Sequence, residues 1–399
     1  MKRLDFFRFG LPQLSAILFV GLFLVLYLCV PYLLKGLESD NLFLRTSDYI
    51  EEVRSASVPA FHFVRDYLLQ FFYYKAVGPF LIALGVTLVY LMVCVVFRPR
   101  WIRMLLAFAA IGVSLFWVLR PSVRQAERWA QLEYAAQQHQ WNKVLSIVTP
   151  DRVIHDRGMI PYAFLALAMC NELPQQMLLY PLNGPEDFDS QGEADQHYFF
   201  FKMVLYDALR CPNEAIHCNF QAAKDLPHGT SFGTLRRLVR YNRDAGNPVL
   251  VNKYETILSR STLHRAWRHE SVMYPDTLRP NLSGRIPVLT HTFGHNLGMI
   301  IAMGNYSVET CNYMLCWFLA SRNLSGFTTL LNQSASLMPT PLPRIFQEAL
   351  VLWAEQDSSF DINTYNVSVE VLESYKQFCT THSFPSGSYW RYFFLGQGR

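Results

Sequence analysis

Residues 95–104 read VVFRPRWIRM, with three arginines in six positions between two strongly apolar runs. The flanking runs are Val77 to Phe97 and Trp101 to Leu119, and a third, Leu14 to Leu34, stands nearer the start of the chain. Leu14 to Leu34 and Val77 to Phe97 carry no charge. A helix of roughly 20 such residues crosses a hydrocarbon core of about 30 Å. Arg103 is the one charge in the last run, close enough to its end for the side chain to reach the interface. The quoted stretch is therefore predicted to be a tight turn between the second and third of three transmembrane helices.

Its arginines also set the orientation. Lys2, Arg3 and Arg8 crowd the N-terminal tail and Arg98, Arg100 and Arg103 crowd the turn, so the positive-inside rule keeps both in the cytoplasm. Moving the turn across would carry three arginines through hydrocarbon at up to about 2.5–3.5 kcal/mol each. Lys35, Arg45, Arg54, Arg65 and Lys75, and Arg120, Arg124 and Arg128, oppose this, but they lie in longer segments that orient the chain less strongly. Residues 35–76 and everything after Leu119 are then expected outside the cytoplasm, which in a bacterium is the periplasm. The opening MKRLDFFRFG precedes an apolar run too long for a secretory signal and without a small-x-small cleavage site, so it reads as an uncleaved signal anchor in the inner membrane. An apolar fraction of 51% with 15% aromatics exceeds the needs of one soluble core. The net charge of +4 suggests no nucleic-acid partner, and membrane lipid is the first partner expected.

The fold class read from the pattern is all-α: a membrane domain over residues 1–119, with helices near 14–34, 77–97 and 101–119, followed by an α-helical repeat solenoid over residues 120–399. The loop 35–76 looks folded. Asp48 with Glu51 fits an N-cap and first-turn acid. After Pro59, His62, Asp66 and Gln70 share one helical stripe, with Phe63, Val64, Tyr67, Leu68, Phe71, Phe72 and Tyr74 around the rest. Such a segment fits an interfacial helix, or equally a cap packed on the three spans. Beyond Arg120 the periodicity is helical, with candidate pairs 122–138 and 141–148, 159–173 and 174–180, 196–209 and 212–226, and 232–246 and 248–260. The second helices start near Trp141, Pro174, Pro212 and Pro248, spaced by 33, 38 and 36 residues. A helix pair recurring in the mid-thirties is the pattern of tetratricopeptide-type arrays, and proline suits a first helical turn. Residues 271–286 read as an insertion loop, with further helices over 304–334 and 342–356.

The segments PNEAIHCNFQ (212–221), GNPVLVNKYETILSRSTLHRAW (246–267) and FPSGSYWRYFFLG (384–396) carry a resemblance over roughly the last 280 residues. The chain resembles an uncharacterised family of Bacteroidota inner-membrane proteins with apolar N-terminal helices and a tetratricopeptide-like C-terminal domain. Many such relatives carry more than three membrane helices, so the resemblance implies a shortened member. It implies no established activity and no catalytic residues.

Motifs for chemistry are sparse. His291 and His295 stand one helical turn apart, as two metal ligands can, but HTFGH lacks the glutamate of a zincin and reads better as two surface histidines. Cys211 and Cys218 would stand about 10 Å apart on one helix, and Cys311 and Cys316 would point about 140° apart, so neither pair closes locally. A bridge such as Cys170 with Cys211 is open in an oxidising periplasm, while buried small residues are the preferred reading. Asp187, Asp189, Glu193 and Asp195 read as a solvated loop. The sequence gives no reason to expect catalysis, and no cofactor is implied.

One feature points to binding. Arg236, Arg240 and Arg243 fall at i, i+4 and i+7 in LRRLVRYNR, on the first helix of a pair, where such arrays place their concave groove. Arginines there would hold carboxylates or phosphates, although a solvated face is the plainer alternative. Arg265, Trp267 and Arg268 add a basic, aromatic surface nearby. The expectation is a membrane-anchored helical-repeat binding or scaffolding protein of the cell envelope with a protein partner. The alternative is part of an enzyme or translocase acting on a lipid-linked or polysaccharide substrate at the outer leaflet.

Overall fold

A computed structural model describes residues 10–55, 58–97, 99–189, 196–264, 293–302, 307–385 and 387–395, and among these the only regular structure is helix. The chain divides into two compact units. One comprises residues 1–134, 223–239 and 249–270, the other residues 135–222, 240–248 and 271–399.

In the first unit, Leu11–Cys29, Val77–Val96 and Arg100–Leu119 are long and apolar enough to cross a membrane. Leu14, Leu18 and Leu22 recur every fourth residue on the first helix and pack against Ala83, Tyr90, Cys94 and Ala107 of the other two. Their outer faces leave Val89, Met92, Val95, Leu105, Val113 and Phe116 exposed, a surface suited to lipid. The first span stops at Cys29, short of the expected Leu34. Pro31 has no N–H to continue it, Val30 turns out of helical geometry (φ −137°, ψ 38°), and a new helix Pro31–Ser39 begins with the proline at its first turn. The open amides of Tyr32 and Leu33 donate to the two carboxylate oxygens of Glu127, at 3.0 and 2.7 Å, from the helix Pro121–Gln137. At the arginine turn, Arg103 donates from Nε to the Phe97 carbonyl (3.0 Å) and from Nη2 to the Cys94 carbonyl (2.9 Å). A cation thus closes the carbonyl end of the second span, where the helix dipole favours it.

The first loop is folded into helices Ser47–Arg54 and Pro59–Leu69. Thr46, not Asp48, is the N-cap of the shorter helix. Thr46 has the extended backbone a cap requires, and its hydroxyl accepts from Tyr49 N at 3.4 Å, whereas Asp48 already lies within the first turn. The longer helix is turned polar side inward. Asp66 and Gln70 are buried, while Phe61, Val64 and Leu68 are exposed. The Asp66 carboxylate accepts from the Tyr49 hydroxyl (3.0 Å) and from Arg65 Nε (2.8 Å), and Gln70 Oε1 accepts from Leu263 N at 2.9 Å.

The second unit is built on one recurring turn. His139, Asn171, Arg210, Gly246 and Arg322 all have positive φ, between 53° and 72°. The residue after each donates its N–H to the carbonyl five residues back: Gln140 to Ala135, Glu172 to Leu167, Cys211 to Tyr206, Asn247 to Asn242 and Asn323 to Phe318, at 2.7–2.9 Å. This is the left-handed closure that ends a helix and satisfies its last carbonyls. The next helix starts within two residues, at Trp141, Leu173, Pro212, Pro248 and Leu324. The turns lie 32, 39, 36 and 76 residues apart. The last interval is close to two periods, and its middle falls in residues 265–292, outside those described.

The acidic segment expected as a solvated loop is partly internal. Asp187 is buried, accepts from Arg157 Nη2 at 2.7 and 2.9 Å and from Asn183 N at 2.6 Å, and Asp189 pairs with Lys202 at 3.1 Å. The cause is its neighbour Phe188, whose ring packs on Phe164 and Tyr313 at 4.8 and 5.3 Å and draws the short turn Pro185–Phe188 into the core. Glu193 and Asp195 lie outside the described residues. All eight cysteines are free thiols, and Cys94, Cys211, Cys218, Cys311 and Cys316 are buried as small core residues.

Candidate functional site

The arginine stripe lies on the helix Phe232–Asp244. Ser231 caps its start by accepting from Thr234 N at 3.1 Å, and Gly246 (φ 72°) makes the turn that ends it. Phe232, Leu235 and Val239 pack on Leu42, Phe43, Tyr49 and Val53 of the first loop, together with Leu258. Gly233 permits the close approach this needs, since a Cβ there would lie 2.1 Å from Ser39 Oγ. The same contact brings Arg236 to the end of the helix Pro31–Ser39.

There Arg236 meets Glu38, a fully buried carboxylate. Its Nη1 and Nη2 donate to Oε1 and Oε2 at 2.6 and 2.9 Å, a two-pronged pairing, and His264 Nε2 stands 2.9 Å from Oε1. His264 is held by Ser261, whose Oγ accepts from His264 N at 3.0 Å, and by the Phe232 ring at 4.3 Å. Tyr73 presents its face to both Arg236 (5.3 Å) and Lys35 (5.5 Å). Burial on its own raises the Glu38 pKa. The charge of Arg236, with hydrogen bonds from His264 and Arg236, outweighs it and holds the group below the ordinary carboxylate value.

One helical turn on, in the second unit, Arg240 Nη2 pairs with the buried Asp207 and also donates to the Tyr241 hydroxyl at 3.2 Å, while Nη1 donates to the Gln137 carbonyl at 3.1 Å. His139 Nε2 stands 2.9 Å from the same Asp207 oxygen, and its ring stacks on Trp141 at 5.1 Å. His139 is the positive-φ residue of the first recurring turn, so this cluster ties that turn to the helix Gln196–Ala208.

Two arginines of the stripe thus meet carboxylates of the chain itself, in geometry that orders helices and holds charge in a dry place. The partners are Glu38 and Asp207, which lie 198 and 33 positions away in sequence. Arg243 is half-buried on the same helix, and Arg265, Trp267 and Arg268 lie outside the described residues. Of the two histidines weighed as metal ligands, His295 is exposed on the helix Phe293–Ala302 and His291 is not described. Among the described residues no three potential ligands stand together. Glu38 and Asp207 are the site residues that sequence reasoning missed. The available signal was an acid placed just after an apolar span, as Glu38 is in YLLKGLESD.

Neither a curated protein nor a solved structure matches the chain. The profile of a family of unknown function, DUF6057, matches residues 7–124 and 100–394, and the chain belongs to that family.

Proposed function

We propose that this protein is a membrane-anchored scaffold of the bacterial cell envelope, an array of tetratricopeptide-type helical hairpins held at the periplasmic face of the inner membrane to bind a partner protein. The observation that carries the reading is the recurrence of one hairpin turn at His139, Asn171, Arg210, Gly246 and Arg322 in a chain with three apolar helices long enough to span a bilayer. Stacked hairpins expose extended surfaces whose side chains vary freely, which suits binding. In this reading Arg236 and Arg240 anchor their helix through Glu38 and Asp207. The sequence run Arg265, Trp267 and Arg268 supplies the basic and aromatic side chains that suit an anionic partner.

Crosslinking in native membranes followed by purification and mass spectrometry tests the proposal. A scaffold brings down a stoichiometric protein partner. Replacing Arg265 and Arg268 by glutamine reduces that recovery and its sensitivity to salt, because attraction to an anionic partner is screened over about 8 Å at physiological ionic strength. Recovery of no stoichiometric protein contradicts the reading.

A further inference from the structure

The helix Pro59–Leu69 is inside out for a segment in water. Its polar stripe, Asp66 with Gln70 just beyond, is buried, and Phe61 (60% exposed), Val64 (53%) and Leu68 (39%) face outward around Arg65, whose side chain is 42% exposed with its Nε on the Asp66 carboxylate. The chain then passes through Gln70–Tyr73 into the span Val77–Val96, so this helix adjoins a membrane-crossing segment in the chain. Lys75 lies between them, its ammonium over the ring of Tyr27, near the end of the first span, at 4.8 Å. Aromatic and lysine side chains gathered at the end of the spans mark the headgroup level of a bilayer.

Behind the helix lies a cavity of about 260 Å³ lined by Phe43, Leu44, Arg45, Ile50, Phe63 and Tyr67. Its narrow, partly open shape suits a length of acyl chain rather than a whole drug-sized ligand. Its lining is apolar and aromatic except for Arg45, which is exposed. Arg45 is also fixed in place: its backbone N–H donates to the Arg260 carbonyl at 2.9 Å and its Nε to Thr262 Oγ1 at 3.1 Å.

We propose that this cavity is a lipid site, in which one acyl chain of an anionic phospholipid from the surrounding leaflet enters between Phe63, Tyr67 and Ile50 while Arg45 holds its phosphate. The inward polar stripe follows from it, because a helix sunk among acyl chains and headgroups must keep its carboxylate on the protein side. The site does not depend on the identity of any protein partner.

Native mass spectrometry of the full chain, purified in detergent and titrated with phosphatidylglycerol or phosphatidylcholine of the same acyl chains, tests this. The wild type is expected to retain one phosphatidylglycerol with about tenfold preference over phosphatidylcholine. Arg45→Gln, at an exposed position, is expected to reduce that preference to about twofold or less while leaving phosphatidylcholine retention unchanged. Ile50→Trp, which fills the cavity, is expected to lower retention of both lipids. Equal retention of the two lipids by the wild type overturns the proposal, as does an undiminished preference in the arginine variant.

Discussion

Replacing Arg236 by glutamine should do more than remove a surface charge. Glu38 is fully buried, and Arg236 supplies two of its hydrogen bonds, at 2.6 and 2.9 Å. Removing one partner of a buried pair costs about 3–5 kcal/mol because the other charge is left in a dry site. His264 still stands 2.9 Å from Oε1, so the lower end, about 3 kcal/mol, applies. At about 2 to 4 °C per kcal/mol for a unit of this size, melting in detergent should fall by roughly 6 to 12 °C. The pH dependence identifies the cause. In the wild type the folded Glu38 pKa is lowered, so its contribution is present above the unfolded value near 4.5 and is lost as pH falls through the folded value. In Arg236→Gln burial dominates and raises that pKa, so stability is lost as pH rises. The deficit should be widest at neutral pH and close toward pH ~4, and Glu38→Gln added to Arg236→Gln should restore at least half of it at neutral pH. A deficit that stays constant from pH ~4 to ~8, or one that the second substitution deepens, would refute the reasoning.

Three other perturbations follow from the second unit. Glu214 is buried with Oε1 lacking a hydrogen-bond partner among the described residues, and burial pushes its carboxyl to about 7. Its stabilising contribution is therefore present below about 4.5 and lost as pH rises through about 7, and Glu214→Gln should flatten that decline in a series of melts across this range. Leu205 is fully buried in the helix Gln196–Ala208, so Leu205→Asp should speed hydrogen exchange in neighbouring hairpins as well as its own, and exchange confined to one hairpin would contradict nearest-neighbour stacking. Gly246 sits at φ 72° with open space where a Cβ would go, so Gly246→Ala should lower stability by about 1 kcal/mol through backbone strain alone, measured by denaturant melts, and Gly246→Asn should cost less.

The sequence displays what local physics controls. The three spans follow from length and near-absence of charge, and the second helix of each pair starts at Trp141, Pro212 and Pro248 as expected, with Leu173 one residue from the expected Pro174. What it does not display is which surface faces water. The stripe His62, Asp66 and Gln70 is plain in the sequence, yet its direction depends on whether the medium outside is water or lipid, and periodicity is blind to that. The same limit applies to the arginine stripe. Arg236 and Glu38 are 198 positions apart, and their pairing rests on a close approach at Gly233 that no local pattern announces. Asp187 read as solvated because its neighbours in sequence are polar, but the ring of Phe188 places it inside.

The claim on which the functional proposal rests most heavily is the side of the membrane that carries the hairpins. A phosphatase reporter that is active only after export, fused after Arg399, tests it directly, with a second fusion in the turn 98–103 as the control. The account predicts activity from the first and none from the second, and it predicts mixed orientations once Arg98, Arg100 and Arg103 are made neutral. Activity from the turn fusion and silence after Arg399 would place the hairpins in the cytoplasm and contradict the account.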